Sequence, residues 1–235
     1  NLMGHILLAG GAEFAGRMAE LDQCAYALAG GYDSPLVIIP AAAVPDNNHQ
    51  RAGANGVRWF TALGGRDVRV LPVIDPASAA NPENVHTLLE ARFIYLLGGF
   101  PRHLCHTLHS SPAWAACLRA YQHGAVIAGS SAGAMVLCEY FYDPHTGEVK
   151  KGLNLLPNIC ILPHHNKYGK RWVQSLRELI PDVRLLGLDE TTGIIDNGFS
   201  DGAERVWRVY GPGAVTRYQA SEIRVYRRGE TFKLD

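Results

Sequence analysis

Ala125-Val126-Ile127-Ala128-Gly129-Ser130-Ser131-Ala132-Gly133-Ala134 reads as a buried strand that turns abruptly into a helix. Its apolar residues run on without alternating with polar ones, as expected of a strand covered on both faces. The small residues that follow leave room for a sharp turn. Within them lies a G-x-S-x-G match with Ser131 at its centre, a pattern that lifts a hydroxyl above a strand end and sets it at a helix N-terminus rich in backbone N–H groups. Ser130 is the rival hydroxyl, one place before the centre. A plain helix cap built from small residues is the simpler alternative.

The same grammar recurs upstream. His5-Ile6-Leu7-Leu8-Ala9 ends at Gly10-Gly11, and residues 17–29 then read as a helix closed by Gly30-Gly31. Leu36-Val37-Ile38-Ile39 precedes a helix over 48–63 that ends at Gly64-Gly65. Val68-Arg69-Val70-Leu71 is followed by a helix over 82–91, and Phe93-Ile94-Tyr95-Leu96-Leu97 runs into Gly98-Gly99. Apolar runs alternating with helices predict an α/β fold: a three-layer, doubly wound, mostly parallel sheet. Ligands bind such sheets beyond the carboxyl ends of the strands, where these glycine pairs fall. After residue 139 the pattern shifts to a hairpin over 140–149, a helix over 172–180 stopped by Pro181, and a tail from Arg205 that reads as antiparallel strands added at one edge. No linker-like segment divides residues 1–235, which predicts one domain. Met3 reads as the natural start and Asn1-Leu2 as an expression remnant.

Composition narrows the function classes. Lys and Arg number 22 against 22 Asp and Glu, so the formal charge is zero and a general nucleic-acid binder is disfavoured. No apolar run approaches the roughly 20 residues that span a membrane. Five cysteines form no CxxC pair and no zinc-like cluster, which fits reduced thiols in a cytoplasm and predicts no metal or cofactor.

A serine nucleophile needs a base, and the base an orienting acid. Ile159-Cys160-Ile161-Leu162-Pro163 delivers His164 and His165 at the end of an apolar run. Glu190, Asp189 and Asp143 are the candidate acids. Chain order favours Asp143 by analogy with α/β-hydrolases, although Asp143-Pro144 with Thr146-Gly147 is also ordinary turn chemistry.

Four blocks, Gly10-Gly11-Ala12-Glu13, Tyr95-Leu96-Leu97-Gly98-Gly99, Gly129-Ser130-Ser131-Ala132-Gly133-Ala134 and Leu188-Asp189-Glu190-Thr191-Thr192-Gly193, resemble in order those of the cyanophycinase and aspartyl dipeptidase (dipeptidase E) family of serine peptidases. The fold of that family resembles class I glutamine amidotransferases. The resemblance implies Ser131 as nucleophile, His164 as base, and an oxyanion hole from the backbone N–H groups of Gly99 and Ala132. The cyanophycinase branch implies Glu190 as the acid, and the dipeptidase branch keeps Asp143 as the alternative. It also implies amide hydrolysis of a small peptide through an acyl-enzyme.

Two departures concern the substrate. Phe100-Pro101 follows Gly98-Gly99 where the family has GGDQ or GGNQ, and Tyr168-Gly169-Lys170-Arg171 stands where cyanophycinases carry R-G-R. Gly98, Phe100, Lys170 and Arg171 are therefore candidate substrate-binding residues. Lys167, Lys170 and Arg171 gather positive charge beside the expected base, which is compatible with acidic or β-aspartyl peptides and equally with an ordinary solvated helix start. An esterase or small-amide hydrolase with the same triad is one alternative, and a non-catalytic binding homologue is another. Glutamine amidotransfer is disfavoured because Ser131 stands where that chemistry uses cysteine; Cys138, about two turns into the expected helix, reads as packing. A flavodoxin-like phosphate binder ranks low, since Gly10-Gly11-Ala12-Glu13 lacks G-x-G-x-x-G spacing. An exposed edge strand and the habit of the family are compatible with a homodimer.

Overall fold

The computed structural model describes residues 3–198 and 204–234, so Asn1-Leu2 lie outside the described residues. The first half alternates as the glycine pairs imply. β1 (His5–Ala9) leads through a 3-10 turn to α1 (Ala19–Ala29), β2 (Leu36–Ile39) to α2 (His49–Leu63), and β3 (Val68–Val70) to α3 (Pro76–Ala79) and α4 (Pro82–Glu90). β4 (Phe93–Leu96) precedes α5 (Pro101–Leu108) and α6 (Pro112–Gln122), and β5 (Val126–Ser130) turns directly into α7 (Ala132–Leu137). Gly30 and Gly64 end α1 and α2 with φ of 114° and 119°, the left-handed conformation that glycine adopts without strain. The helices α5 and α6 go beyond the sequence reading, which noted only the Phe100-Pro101 departure.

The second half departs further from expectation. It comprises β6 (Cys138–Asp143), β7 (Glu148–Lys151), β8 (Leu156–Leu162), α8 (Val173–Leu179), β9 (Arg184–Leu188), β10 (Gly193–Asp196), β11 (Val206–Tyr210), β12 (Ala214–Gln219), β13 (Glu222–Arg227) and β14 (Thr231–Lys233). Among the described residues an eight-stranded sheet has the order β14-β11-β10-β1-β5-β4-β2-β3, and a six-stranded sheet the order β13-β12-β9-β8-β6-β7. The run β1-β5-β4-β2-β3 is parallel, whereas β10, β11 and β14 add antiparallel strands. The tail is thus not confined to one edge. β11 and β14 extend the large sheet, while β12 and β13 close the second one. The expected hairpin is β6 with β7.

Alternate residues of each central strand face opposite sides, which splits the apolar runs into two cores. Ile6, Leu8, Val37, Ile39, Ile94, Leu96 and Ile127 face α4 to α7 and the second sheet. Leu7, Leu36, Ile38, Phe93, Tyr95 and Val126 face the layer of α1 and α2, around Tyr26 and Phe60. The short α7 is buried along its whole length and packs on strands of both sheets. Cys138 accordingly lies at the end of that helix, as the first residue of β6 rather than two turns inside it. It is fully buried, and burial holds its thiol well above the ordinary cysteine value. All five cysteines are free thiols.

Asp22 of α1 is buried in the second core and accepts a 2.8 Å bond from Trp59 Nε1, while its Oδ1 has no partner among the described residues. Burial, and next to it the Glu13 carboxylate, push its pKa up to about 7. A carboxyl raised in this way contributes its full stability below the unfolded value and loses it as pH rises towards 7. Asp22→Asn is therefore expected to match the parent near pH 4, to gain stability progressively up to pH 7 and to hold that gain above it. Thermal unfolding at pH 4, 6 and 8 checks this; a gain independent of pH contradicts it.

Candidate active site

The three loops with the expected site residues meet at the carboxyl end of β1. The Ser131 N–H donates to the Ala9 carbonyl at 3.0 Å, the His164 N–H to the Gly10 carbonyl at 2.7 Å, and the Thr191 N–H to the Gly11 carbonyl at 3.0 Å. Three consecutive carbonyls thus hold the turn after β5, the loop after β8 and the loop after β9. β8 and β9 are parallel neighbours in register from Ile159 with Arg184 to Leu162 with Gly187, so the loops that follow them emerge side by side.

Ser131 has φ 51° and ψ −113°, a conformation rare for a residue with a side chain and typical of a strained strand-to-helix elbow. The surrounding glycines are steric requirements. A Cβ on Gly129 would collide with the backbone of Gly133, and one on Gly133 with the Leu96 carbonyl. Ser130 points away into the protein: it is fully buried, and its hydroxyl donates to Glu13 Oε2 at 2.9 Å. The Glu13 side chain therefore ties the turn after β1 to the elbow, a role for the Gly10-Gly11-Ala12-Glu13 block that its sequence did not disclose.

His164 Nε2 stands 3.0 Å from Ser131 Oγ, and its Nδ1 stands 2.7 Å from Glu190 Oε1. The ring is fixed from several directions. Gly11, at φ 116°, approaches it so closely that a Cβ there would overlap the imidazole, and the Tyr168 ring stacks on it at 4.9 Å and 21°. Glu190 is itself anchored. Its N–H donates to Asn166 Oδ1 at 2.9 Å, and its Oε2 pairs with Lys167 Nζ at 2.9 Å. Lys167 first, and His164 after it, hold the Glu190 carboxyl below the ordinary glutamate range.

The other candidate acids serve elsewhere. Asp189 Oδ1 lies 3.4 Å from Nδ1 of His165, the second histidine, whose Nε2 meets the Tyr218 hydroxyl at 2.8 Å. His165 is buried, its ring packs on Gly187, and desolvation lowers its pKa. Asp143 accepts from the His145 N–H at 3.0 Å and shapes the β6–β7 turn. The neighbouring pairs His164–Glu190 and His165–Asp189 thus divide the loops into one site-facing pair and one buried pair.

Of the candidate substrate-binding residues, Gly98 lies against the elbow: a Cβ placed on it would be 3.2 Å from Ser131 Cβ. Gly99, at φ 140°, has no room for a side chain beside the Ala42 carbonyl, and the same carbonyl accepts the Phe100 N–H at 2.7 Å. Ala132 opens α7, so its N–H has no acceptor within the helix. Lys170 and Arg171 lie in a 3-10 turn over Gly169–Trp172. With Lys167, Thr216 and Arg227 they line a shallow cleft of about 510 Å³. Arg227 comes from the far end of the chain, and local sequence reading had no signal for it. No group of His, Cys, Asp and Glu among the described residues is arranged to hold a metal ion.

The chain matches the sequence profile of Peptidase family S51 over residues 6–198. It belongs to that family. It is 26% identical over 202 residues to a cyanophycinase of Geminocystis herdmanii, a match covering 81% of this chain and 73% of that protein. With a cyanophycinase of Thermosynechococcus vestitus it shares 27% identity over 227 residues, 91% of this chain and 67% of the other. Among solved structures it is similar to a peptidase from an acI-B1 Actinobacterium, with a TM-score of 0.86, 27% identity and coverage of 99% and 98% of the two chains. A putative peptidase E of Listeria monocytogenes, at TM-score 0.59 and 17% identity, shares the fold over 96% of this chain and 98% of the other. This S51 member is a hydrolase of the serine-peptidase type with a class I glutamine amidotransferase-like fold. No helix among its described residues is long and apolar enough to cross a membrane.

Gly11→Ala should test how the three loops are held. The substitution strains a left-handed position and pushes against the imidazole, so a loss of about 1–3 kcal/mol is expected, read as a drop of several degrees in unfolding temperature. The downfield proton resonance of the His164–Glu190 hydrogen bond should weaken or vanish with it. An unchanged resonance would show that Gly11 does not set the ring position.

Proposed function

We propose that this S51 peptidase works as one domain through a Ser131–His164–Glu190 triad on small acidic or β-aspartyl peptides. The observation that carries the reading is the continuous chain of contacts from Ser131 Oγ to His164 Nε2 at 3.0 Å and from His164 Nδ1 to Glu190 Oε1 at 2.7 Å. Ser131 attacks the substrate carbonyl carbon while His164 Nε2 takes the hydroxyl proton. Glu190 accepts the Nδ1–H bond, fixes the tautomer and stabilises the imidazolium. The N–H groups of Ala132 and Gly99 stabilise the oxyanion. His164 then returns its proton to the departing amine, and water repeats the sequence on the acyl-enzyme. Lys167, and after it His164, keep Glu190 ionised to lower pH than an ordinary glutamate.

Acidic substrates are supported by the basic residues of the cleft that Lys167 connects to Glu190, where Lys167, Lys170, Arg171 and Arg227 outnumber the one carboxylate of the lining, Asp189. Lys170 and Arg171 have no ion-pair partner among the described residues, and Arg227 lines the same wall.

Ser131→Ala should lower turnover by about 10³–10⁶ while leaving the unfolding temperature intact. Glu190→Gln, which keeps the shape but not the imidazole tautomer, should cost about 10⁴. A panel of acidic and neutral dipeptides read as kcat/KM, with fluorophosphonate labelling of Ser131, measures both. Parental turnover in Ser131→Ala would eliminate the triad. Equal rates on acidic and neutral peptides would eliminate the acidic preference.

A further inference from the structure

Phe100 occupies the N-cap of α5, yet its side chain makes no capping hydrogen bond. Phenylalanine is poor at a position that favours Asn, Asp, Ser or Thr, and a local rule broken without local gain is common at functional positions. The ring does something else. It stacks on His145 at 4.6 Å and 18°. His145 is in turn held by Asp143, a buried residue whose Oδ1 accepts the His145 N–H at 3.0 Å and lies 3.5 Å from its Nδ1. The loop before α5 and the β6–β7 turn thereby close the wall of a cleft of about 520 Å³, lined also by Pro45, Pro101, His103 and His106. The position of this wall matters. Phe100 follows Gly99 and stands two residues from Gly98, where an added Cβ would lie 3.2 Å from Ser131 Cβ.

We propose that this cleft is a subsite for an aromatic side chain of the substrate, on a residue flanking the scissile bond. It rests on the reading of Ser131 as nucleophile. The flat Phe100–His145 pair and two prolines offer apolar planes to a ring, and stacked or edge-on ring contacts add to the area they bury. A cationic side chain is disfavoured, because Arg102 lines the cleft, and its one carboxylate, Asp143, gives Oδ1 to the His145 amide and keeps Oδ2 buried. An acidic side chain is served instead by the Lys170–Arg171 cleft. The preferred peptide would then carry one acidic and one aromatic residue.

Quenched peptides with Phe, Leu, Ala, Lys or Asp placed singly on either side of the scissile bond provide the test. At one of the two positions Phe should exceed Ala in kcat/KM by about tenfold or more, the scale on which apolar pockets discriminate. Phe100→Asn should reduce that ratio about tenfold; asparagine is a better N-cap than phenylalanine, so α5 is supported. Phe100→Leu, which retains bulk without the flat ring, should give an intermediate ratio. No preference for Phe at either position, a preference for Lys there, or parental ratios in both variants would overturn the proposal. A binding measurement separates this outcome from failure of the triad. Ser131→Ala protein should bind N-acetylphenylalaninamide more tightly than N-acetylalaninamide, and the added Phe100→Asn change should remove the difference. Discrimination in binding without Ser131-dependent hydrolysis would refute the triad and leave the subsite standing. Equal affinities would refute the subsite.

Discussion

The carbonyls of Ala9, Gly10 and Gly11 are the point on which the rest of the site depends. In order they accept the N–H groups of Ser131, His164 and Thr191, the last of which adjoins Glu190. One strand end therefore registers three loops that lie far apart in the chain. The Gly10 N–H also donates to the Thr192 carbonyl at 2.9 Å, which closes the link to the loop after β9. Two of these loops leave the six-stranded sheet and the third leaves the large one. The same hydrogen bonds thus dock the sheets and align Ser131 with His164. A shift of about 1 Å between the sheets would break the alignment, because hydrogen bonds weaken steeply outside their narrow distance range.

Strain concentrates around this point. Ala12, Phe14, Ser131, His164 and Thr191 all have φ between 49° and 61°, a region that costs residues with side chains free energy. Thr191 is β-branched, the least tolerant class at such angles. Three of them are held by β1, which accepts the N–H groups of Ser131, His164 and Thr191, and the Thr191 hydroxyl adds a local bond to the Glu190 carbonyl at 2.7 Å. The buried ring of His165, bonded to Tyr218 and close to Asp189, braces the same loops from beneath. The histidine doublet therefore splits its work. Its first ring faces the hydroxyl of Ser131 and its second faces the interior.

Much of the architecture was legible because parallel strands and their glycine turns leave local signatures. Apolar runs ending in Gly10-Gly11 and Gly98-Gly99 located β1 and β4, and the small residues from Gly129 to Ala134 located the elbow. The helix α5 carries a local signature too: of its buried residues, Pro101, Leu104, Cys105 and Leu108 fall at i, i+3, i+4 and i+7, with Thr107 the exception. The second sheet was not legible. β11 and β12 are similar short runs in adjacent sequence, yet one pairs with β10 and the other with β9. Which sheet a strand joins depends on which edge is open after the rest of the chain has folded, and no local residue encodes that.

The sequence by itself determined the class of fold, the strand-to-helix turn at Ser131 and the short list of residues able to serve beside it. These follow from periodicity, glycine sterics and the chemistry of side chains, all of which act over a few neighbouring residues. Only the tertiary structure decided which histidine faces Ser131 and which acid meets it. His164 and His165 are adjacent and chemically identical, and Asp189, Glu190 and Asp143 are all competent carboxylates. The parallel register of β8 and β9, together with the bonds to Ala9, Gly10 and Gly11, brings Glu190 to His164, Asp189 to His165 and leaves Asp143 in its turn. It likewise brought Arg227 to the basic cleft and His145 onto Phe100. Such choices depend on ångström-scale distances between segments remote in sequence, and those distances exist only once the sheets have docked.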